Sequence, residues 1–411
     1  MPEFLNLLLP SQALNRLVDE ISFLPEEESI PTTQALGRVT SRPVIAPHPL
    51  PTFSRSAMDG YAVKARDTFG ASETMPAYLK IIGEVPMGGS FQGVVNPGEC
   101  TLIHTGGMLP QGADAVVMLE HTQVVKEAEV EIFRAAAVGE NVILTGEDVQ
   151  TGDEVIPAGT CLRPVEIGGL MAFGFISVSV YRRLKVAILS SGDEIVPPEN
   201  EIQPGEVRDI NSYSVAGLVQ KAGGDPIILG IVPDKEEELY SAVKNALQIS
   251  DIVLITAGSS ASTRDLTANV INRLGPPGVL VHGINIRPGK PTIFGMCQGK
   301  PVIGLPGNPI SGLVIGWLLL DPILRKMSGI TQPFIKPAVS AHLTANIPSQ
   351  AGREEWVPVI LIEDEKGYLA KPIFFKSNLI FNLARANGLV RIPADQTGIQ
   401  AGEDVKVYLY Q

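Results

Sequence analysis

Five loops between residues 190 and 309 concentrate the residue types that grip and cleave phosphate. In chain order they are Ser190-Ser191-Gly192-Asp193-Glu194, Pro233-Asp234, Ala257-Gly258-Ser259-Ser260-Ala261-Ser262-Thr263-Arg264-Asp265, Arg287-Pro288-Gly289-Lys290-Pro291 and Gly304-Leu305-Pro306-Gly307-Asn308-Pro309. Glycine and serine let backbone N–H groups and helix N-termini close on phosphate oxygens. Arg287 and Lys290 add local positive charge. Glu194, Asp234 and Asp265 are hard oxygen ligands, of the kind that hold Mg²⁺ against a substrate phosphate. Cation, carboxylates and phosphate loop together make a toolkit for anhydride cleavage. One such loop is more often an ordinary turn; five in succession point to a phosphate-type site.

Two earlier segments also carry chemistry. Ser56-Ala-Met-Asp-Gly-Tyr-Ala-Val63 sets Asp59 beside a glycine in a non-helical turn, and His104-Thr105-Gly106-Gly107 follows an apolar run. Alone, Asp59 reads as an Asp-Gly turn and His104 as a half-exposed strand residue. Familiar nucleotide motifs are missing. The nearest P-loop match, Gly283 to Lys290, has five residues between its glycines instead of four, and Pro291 replaces the Ser/Thr. No Gly-x-Gly-x-x-Gly or Gly-x-Ser-x-Gly occurs.

The elements that must position these loops follow from hydrophobic texture. From residue 184 to 329 continuous Val/Ile/Leu runs alternate with amphipathic stretches. Strands are predicted at Lys185–Leu189, Pro226–Val232, Asp251–Thr256, Gly278–Ile284 and Pro301–Gly304. Helices are predicted at Tyr213–Ala222, Lys235–Ile249, Asp265–Leu274 and Pro309–Met327. That pattern argues for a parallel sheet covered on both faces, whose ligands bind beyond the carboxyl ends of its strands. Asn308 suits an N-cap before Pro309, and Asp321-Pro322 should kink or interrupt the last helix. Residues 1–47 open with an amphipathic helical pattern (Leu14, Leu17, Val18, Ile21) and turn Pro-rich. Residues 48–147 read as a β-rich insert, with strands at Tyr78–Ile82, Cys100–His104 and Ala115–Leu119. Residues 148–182 return to a Pro-bounded strand and an apolar segment from Val165 to Val178. Beyond 330, runs at Trp356–Ile362, Tyr368–Phe375, Leu389–Ile392 and Val405–Tyr410 suggest a small C-terminal barrel.

Composition narrows the class. A chain of 411 residues should hold two to four domains, and 45% apolar with 18% charged residues describes a packed globule. The net charge of −12 comes without a long basic run, which argues against a nucleic-acid groove or an anionic membrane surface. Three widely spaced cysteines and five histidines form no metal-ligand spacing, so a disulfide framework or structural zinc is not expected. The N-terminus lacks a basic signal-peptide region, and the longest apolar run, 309–320, is too short to span a bilayer. A cytoplasmic protein is expected.

The motifs together resemble the MoeA/gephyrin-type molybdenumtransferase family. The signature opening at Ser56–Val63 is followed in order by Thr105-Gly-Gly, Leu109-Pro-Gln-Gly-Ala-Asp114, Gly146-Glu-Asp148, Ser191-Gly-Asp-Glu194, Gly205-Glu-Val-Arg-Asp209, Pro288-Gly-Lys-Pro291 and Gly304-Leu-Pro-Gly-Asn-Pro309. The resemblance spans nearly the whole chain. It implies four parts: a discontinuous elongated first domain (1–47 plus 148–182) that dimerises, a β-rich insert (48–147), a three-layer α/β molybdopterin-binding domain with a parallel-rich sheet (183–329) and a C-terminal β-barrel (330–411). It implies a homodimer in which Asp59, Thr105 and Asp148 face Glu194, Asp234 and Asp265 across a subunit boundary, with transient contact to the molybdopterin adenylyltransferase.

The implied reaction is Mg²⁺-dependent: adenylylated molybdopterin and molybdate give molybdenum cofactor and AMP. In that frame Glu194, Asp234 and Asp265 hold Mg²⁺, with Asp59, Thr105 and Asp148 catalytic beside them. The Ser190–Asp193 turn, Gly258, Ser259, Ser260, Ser262, Arg287, Pro288, Gly289 and Lys290 hold phosphate or oxyanion. Gly307, Asn308 and Pro309 shape the pterin end. The family's Gly-Gly-Val-Ser-Val-Gly loop reads Ala257-Gly-Ser-Ser-Ala-Ser262 here, and Arg287 stands where lysine is common. Both departures leave tungstate open as the oxyanion. A phosphoanhydride or pyridine-nucleotide hydrolase sharing the α/β domain, and a pterin-binding scaffold without turnover, remain as other readings.

Overall fold

A computed structural model describes residues 7–257, 261–365, 367–374, 376 and 378–410. The chain separates into two compact units, one of Pro43–Pro157 with Gly169–Phe175, the other of Met1–Arg42, Ala158–Gly168 and Ile176–Gln411.

The larger unit is built on a six-stranded sheet in the order Asp225–Val232, Lys185–Ser191, Ile252–Ala257, Lys300–Pro306, Ile293–Cys297 and Pro277–His282. The first four strands run parallel. Side chains alternate across the sheet with the two-residue period of a strand. Val186, Ile188, Ile252 and Leu254 enter one core with helix Asn211–Lys221 and the helical stretch from Pro309. Ala187, Leu189, Val253 and Ile255 enter the other, with helices Glu236–Ile249 and Ala261–Arg273. Both faces are therefore covered, as the unbroken Val/Ile/Leu runs require.

The far edge departs from the expected parallel sheet. Strand Pro277–His282 runs antiparallel to Ile293–Cys297, which itself runs antiparallel to Lys300–Pro306. The middle strand is absent from the sequence reading because Gly295, Met296 and Cys297 dilute its β-branched signal. A two-residue turn makes the last hairpin. Gln298 and Gly299 both adopt positive φ, 54° and 76°, the primed-turn geometry that suits strand twist.

The final helix is interrupted next to Asp321-Pro322, as expected. It runs Pro309–Ile315, widens into a π-helical turn over Gly316–Leu320, and continues as Asp321–Met327. Pro322 has no N–H to return to the Leu318 carbonyl, so the helix loosens at that point without breaking. Asn308 stands at the N-cap position, with Pro309 next, but its side chain makes no capping hydrogen bond.

The C-terminal strands close into a ring. Glu354–Asp364 pairs with Gly367–Pro372, which pairs in turn with Ala338–Leu343; Asp404–Leu409 and Gly388–Ile392 follow, and the last returns to Glu354–Asp364. Val357, Val359, Val390 and Val407 fill its interior. Ala338–Leu343, with its Ser340 and His342, lacks the apolar density of its neighbours and was not expected. A sixth, short strand, Ile286–Arg287, joins the ring in parallel with Glu354 and Glu355.

The N-terminal helix Pro10–Val18 buries Ala13 and Leu17 in the α/β core. Glu27–Pro31, Ser177–Tyr181 and Val39–Thr40 form a three-stranded sheet.

The smaller unit contains a six-stranded sheet in the order Ala115–Met118, Gly60–Val63, Glu99–Ile103, Ala77–Glu84, Glu129–Ile132 and Thr122–Lys126. Tyr61, Val63, Leu79, Cys100 and Val130 make its core. Gly60 is required there, since a Cβ would collide with the Val117 carbonyl. Among the described residues no helix is long and apolar enough to cross a membrane.

Candidate active site

In the larger unit the loops do gather at the carboxyl ends of the parallel strands. Ser190 is fully buried, and its hydroxyl bonds those of Thr256 at 2.8 Å and Ser212 at 3.0 Å. It ties two strand ends to the following helix and is positioned to brace the site, not to touch a ligand. The next hydroxyl is buried too: Ser191 Oγ donates to Asp234 Oδ1 at 2.7 Å. Asp193 Oδ1 accepts the Asp234 N–H at 3.2 Å, so two adjacent strand-end turns are held to one another. Glu194 and Asp265 are exposed. Among the described residues no three His, Cys, Asp or Glu are arranged to hold a metal ion. The three acids read as metal ligands are thus not a ready-made cage.

A cavity of about 740 Å³ lies between the α/β sheet and the barrel, and none of Ser191, Glu194, Asp234 and Asp265 lines it. Arg287, Pro288, Gly289, Lys290, Asn308 and Ser311 line it from one side, and Arg353, Glu355, Trp356 and Lys376 from the other. The loop is fixed by its own backbone: Thr292 Oγ1 donates to the Gly289 carbonyl at 2.7 Å, and the Ile284 N–H to Lys290 O at 2.9 Å. Gly289, at φ +112°, has no room for a side chain, because a Cβ would strike Ile315. Arg287 Nη1 pairs with Glu355 Oε1 at 3.1 Å, and Ser349 Oγ donates to the other Glu355 oxygen at 2.8 Å. Most telling is Arg353, whose Nε is buried with no hydrogen-bond partner. A buried guanidinium donor left unused costs about 1–3 kcal/mol. Arg287, Lys290, Arg353 and Lys376 outnumber Glu355, so the lining carries net positive charge.

Asn211 Nδ2 donates to the Gly307 carbonyl at 2.8 Å, which fixes the turn ahead of Pro309, and Asn308 uses its side chain to line the cavity in place of capping. Gly258, Ser259 and Ser260 lie outside the described residues, as does the side chain of Ser262. Arg353, Glu355, Trp356 and Lys376 were not read from the sequence. The available signal was the run Arg353-Glu354-Glu355, which places two buried carboxylates at the start of an otherwise apolar strand.

In the smaller unit Asp59 and Thr105 come together. Asp59 Oδ1 accepts the Thr105 N–H at 2.8 Å. That backbone hydrogen bond, reinforced by the Thr105 hydroxyl and by His104, holds the Asp59 carboxyl below the usual carboxylate range. His104 does more than a half-exposed strand residue need do. Its Nε2 lies 3.0 Å from Glu84 Oε1 and its Nδ1 3.5 Å from Asp59 Oδ1, so the imidazole bridges two carboxylates. Asp148 is exposed in a turn whose backbone is tied to Leu50.

Known proteins match nearly the whole length of the chain. Residues 9–174 match the family described as "MoeA N-terminal region (domain I and II)", 187–326 "Probable molybdopterin binding domain" and 340–410 "MoeA C-terminal region (domain IV)". A molybdopterin molybdenumtransferase of Nostoc sp. is 33% identical, over 95% of this chain and 90% of that protein. One from Haemophilus influenzae is 31% identical over 98% of both. The crystal structure of a molybdopterin biosynthesis MoeA protein from Pyrococcus horikosii superimposes with a TM-score of 0.79 at 37% identity, covering 99% of this chain and all of that one. From strand-end loops to closed barrel, the chain belongs to the MoeA family.

Proposed function

We propose that the protein is a transferase of molybdenum cofactor biosynthesis that inserts molybdate into adenylylated molybdopterin and releases AMP. The observation that carries this reading is the cavity that Arg287, Lys290, Arg353 and Lys376 line with positive charge. Arg287, Lys290 and Arg353 bind and orient the oxyanion. Glu194, Asp234 and Asp265 would supply the carboxylates for Mg²⁺, one or two at a time, and the ion would supply charge neutralisation at the anhydride. Gly307, Asn308 and Pro309 border the pterin end. Asp59, Thr105 and Asp148 act on the same anhydride from a second subunit of a homodimer, with Asp59 kept ionised by the Thr105 N–H. The sulfurs that receive the metal belong to the substrate, so no cysteine is needed at the site: Cys100 and Cys297 are buried, with their thiols pushed up to about 12 and about 11 by desolvation. We place the reaction in the cytoplasm, following release of substrate by an adenylyltransferase.

The test is direct. Supplied with adenylylated molybdopterin, Mg²⁺ and molybdate, the protein releases AMP in step with metal retained on the pterin. AMP release indifferent to molybdate would replace this reading with a hydrolase. Running tungstate in parallel decides whether Arg287, in the place of the common lysine, alters the choice of oxyanion.

A further inference from the structure

A second cavity, of about 220 Å³, lies at the junction of the last α/β helix and the barrel, and nothing in the proposed chemistry uses it. Trp317 and Asp321 reach it from the helix, Leu218 and Lys221 from helix Asn211–Lys221, and Phe334 and Lys336 from the segment leading to the barrel. Pro322 explains why a lysine is there. With the Leu318 carbonyl deprived of its helical donor, Lys336 Nζ donates to it at 3.2 Å and to the Trp317 carbonyl at 3.5 Å. The ammonium also sits 4.4 Å from the Trp317 ring centroid and 5.6 Å from that of Phe334.

Repairing the helix accounts for two of the three ammonium donors and for none of the charge. Among the described residues no carboxylate lies within 4.0 Å of Nζ. Asp321, on the same cavity, is likewise without an ion-pair partner at that distance. Both groups bear the mark of burial. Desolvation brings the Lys336 amine down to about 8, against the opposing pull of Asp321 and Glu354. It raises the Asp321 carboxyl, against Arg325, Lys336 and Lys221. Lys336, Lys221 and Asp321 leave one net positive charge facing an apolar, aromatic-walled space.

We propose that this cavity binds a small planar carboxylate, with its carboxylate on the Lys336 ammonium and its ring in the apolar space lined by Leu218, Leu320 and Leu409. Size supports the class, since an apolar cavity of roughly 150 Å³ admits a benzene ring and this one adds room for a carboxylate. Charge supports it as well. A monoanion balances the site, a dianion would overshoot, and a neutral molecule would leave the ammonium uncompensated. Affinity should therefore fall as pH rises through the Lys336 titration.

Benzoate is the probe, titrated into the full chain while the fluorescence of its two tryptophans is followed. Saturable change is expected, with benzamide binding at least tenfold more weakly and benzoate affinity falling up to tenfold per pH unit above about 8. Lys336→Met should weaken benzoate at least tenfold. Leu218→Trp, which fills the cavity while leaving the lysine and its carbonyl bonds in place, should abolish binding, and it keeps the test decisive if the lysine variant misfolds. Absence of saturation, equal binding of benzamide, or unchanged binding by Leu218→Trp would each overturn the assignment. None of these readouts depends on the transferase reaction.

Discussion

At the scale of single residues, the decisive groups are those whose polar atoms the fold leaves aimed at nothing. Arg353 Nε is one. Arg353→Met should raise the KM for molybdate about tenfold to a hundredfold, the loss of one charged hydrogen bond of ~1.5–3 kcal/mol, while the fold is retained by circular dichroism. Asp59 is another kind of case, since its anionic form is held by the Thr105 N–H. Asp59→Asn should lower kcat by about 10²-fold or more. His104→Ala should cost far less, about threefold to tenfold, because it removes a brace between Asp59 and Glu84. A kcat of His104→Ala equal to that of Asp59→Asn would make the imidazole a reacting group; steady-state kinetics separate the two. Asp59 and the Arg287–Lys290 loop were legible because they sit in short, dense motifs. Arg353 was not, because an arginine at a strand start is chemically silent until a cavity forms around it.

At the scale of elements, the sheet depends on a buried ion pair at its amino edge. Arg182 donates to the Asp251 carboxylate at 2.7 and 2.9 Å, and the Lys185 N–H donates to it at 2.8 Å. Burial alone would raise the Asp251 carboxyl, but these hydrogen bonds outweigh it and hold the group below the usual range. A carboxyl depressed in the folded state contributes stability above its unfolded titration near pH 4, and that contribution is lost as pH falls through the lower folded value. Asp251→Ala should therefore cost about 3–5 kcal/mol at neutral pH by stranding Arg182. Its deficit relative to wild type should shrink as melts are run at lower pH; a deficit constant down to pH 2 would refute the pairing. The parallel strands and covering helices could be read from the sequence because each buries a continuous or periodic apolar face. Strands Ile293–Cys297 and Ala338–Leu343 could not, since hairpin neighbours and ring closure stabilise them more than their own residues do.

At the scale of the whole molecule, the proposed site needs two subunits, and that has a numerical signature. Asp59→Asn and Asp234→Asn homodimers should each be nearly inactive. Mixed by refolding or co-expression, half the dimers are hybrids, and each hybrid carries one intact site of two. About a quarter of wild-type activity should return. No recovery in verified hybrids would mean that both carboxylates serve one subunit's own site. Which loops belong to one sheet was legible in the order of motifs. How the barrel approaches that sheet was not, because the approach is decided by side chains such as Glu355 that look like surface charges in the bare sequence.

The short ladder between Ile286–Arg287 and Glu354–Glu355 makes the oxyanion loop a rung of the barrel itself. Any swing that opens the cleft for a bulky pterin must carry Arg287 along or break its Glu355 tether at 3.1 Å. In the proposed reaction, a cleft that parted at this seam would loosen its hold on the anion as it opened.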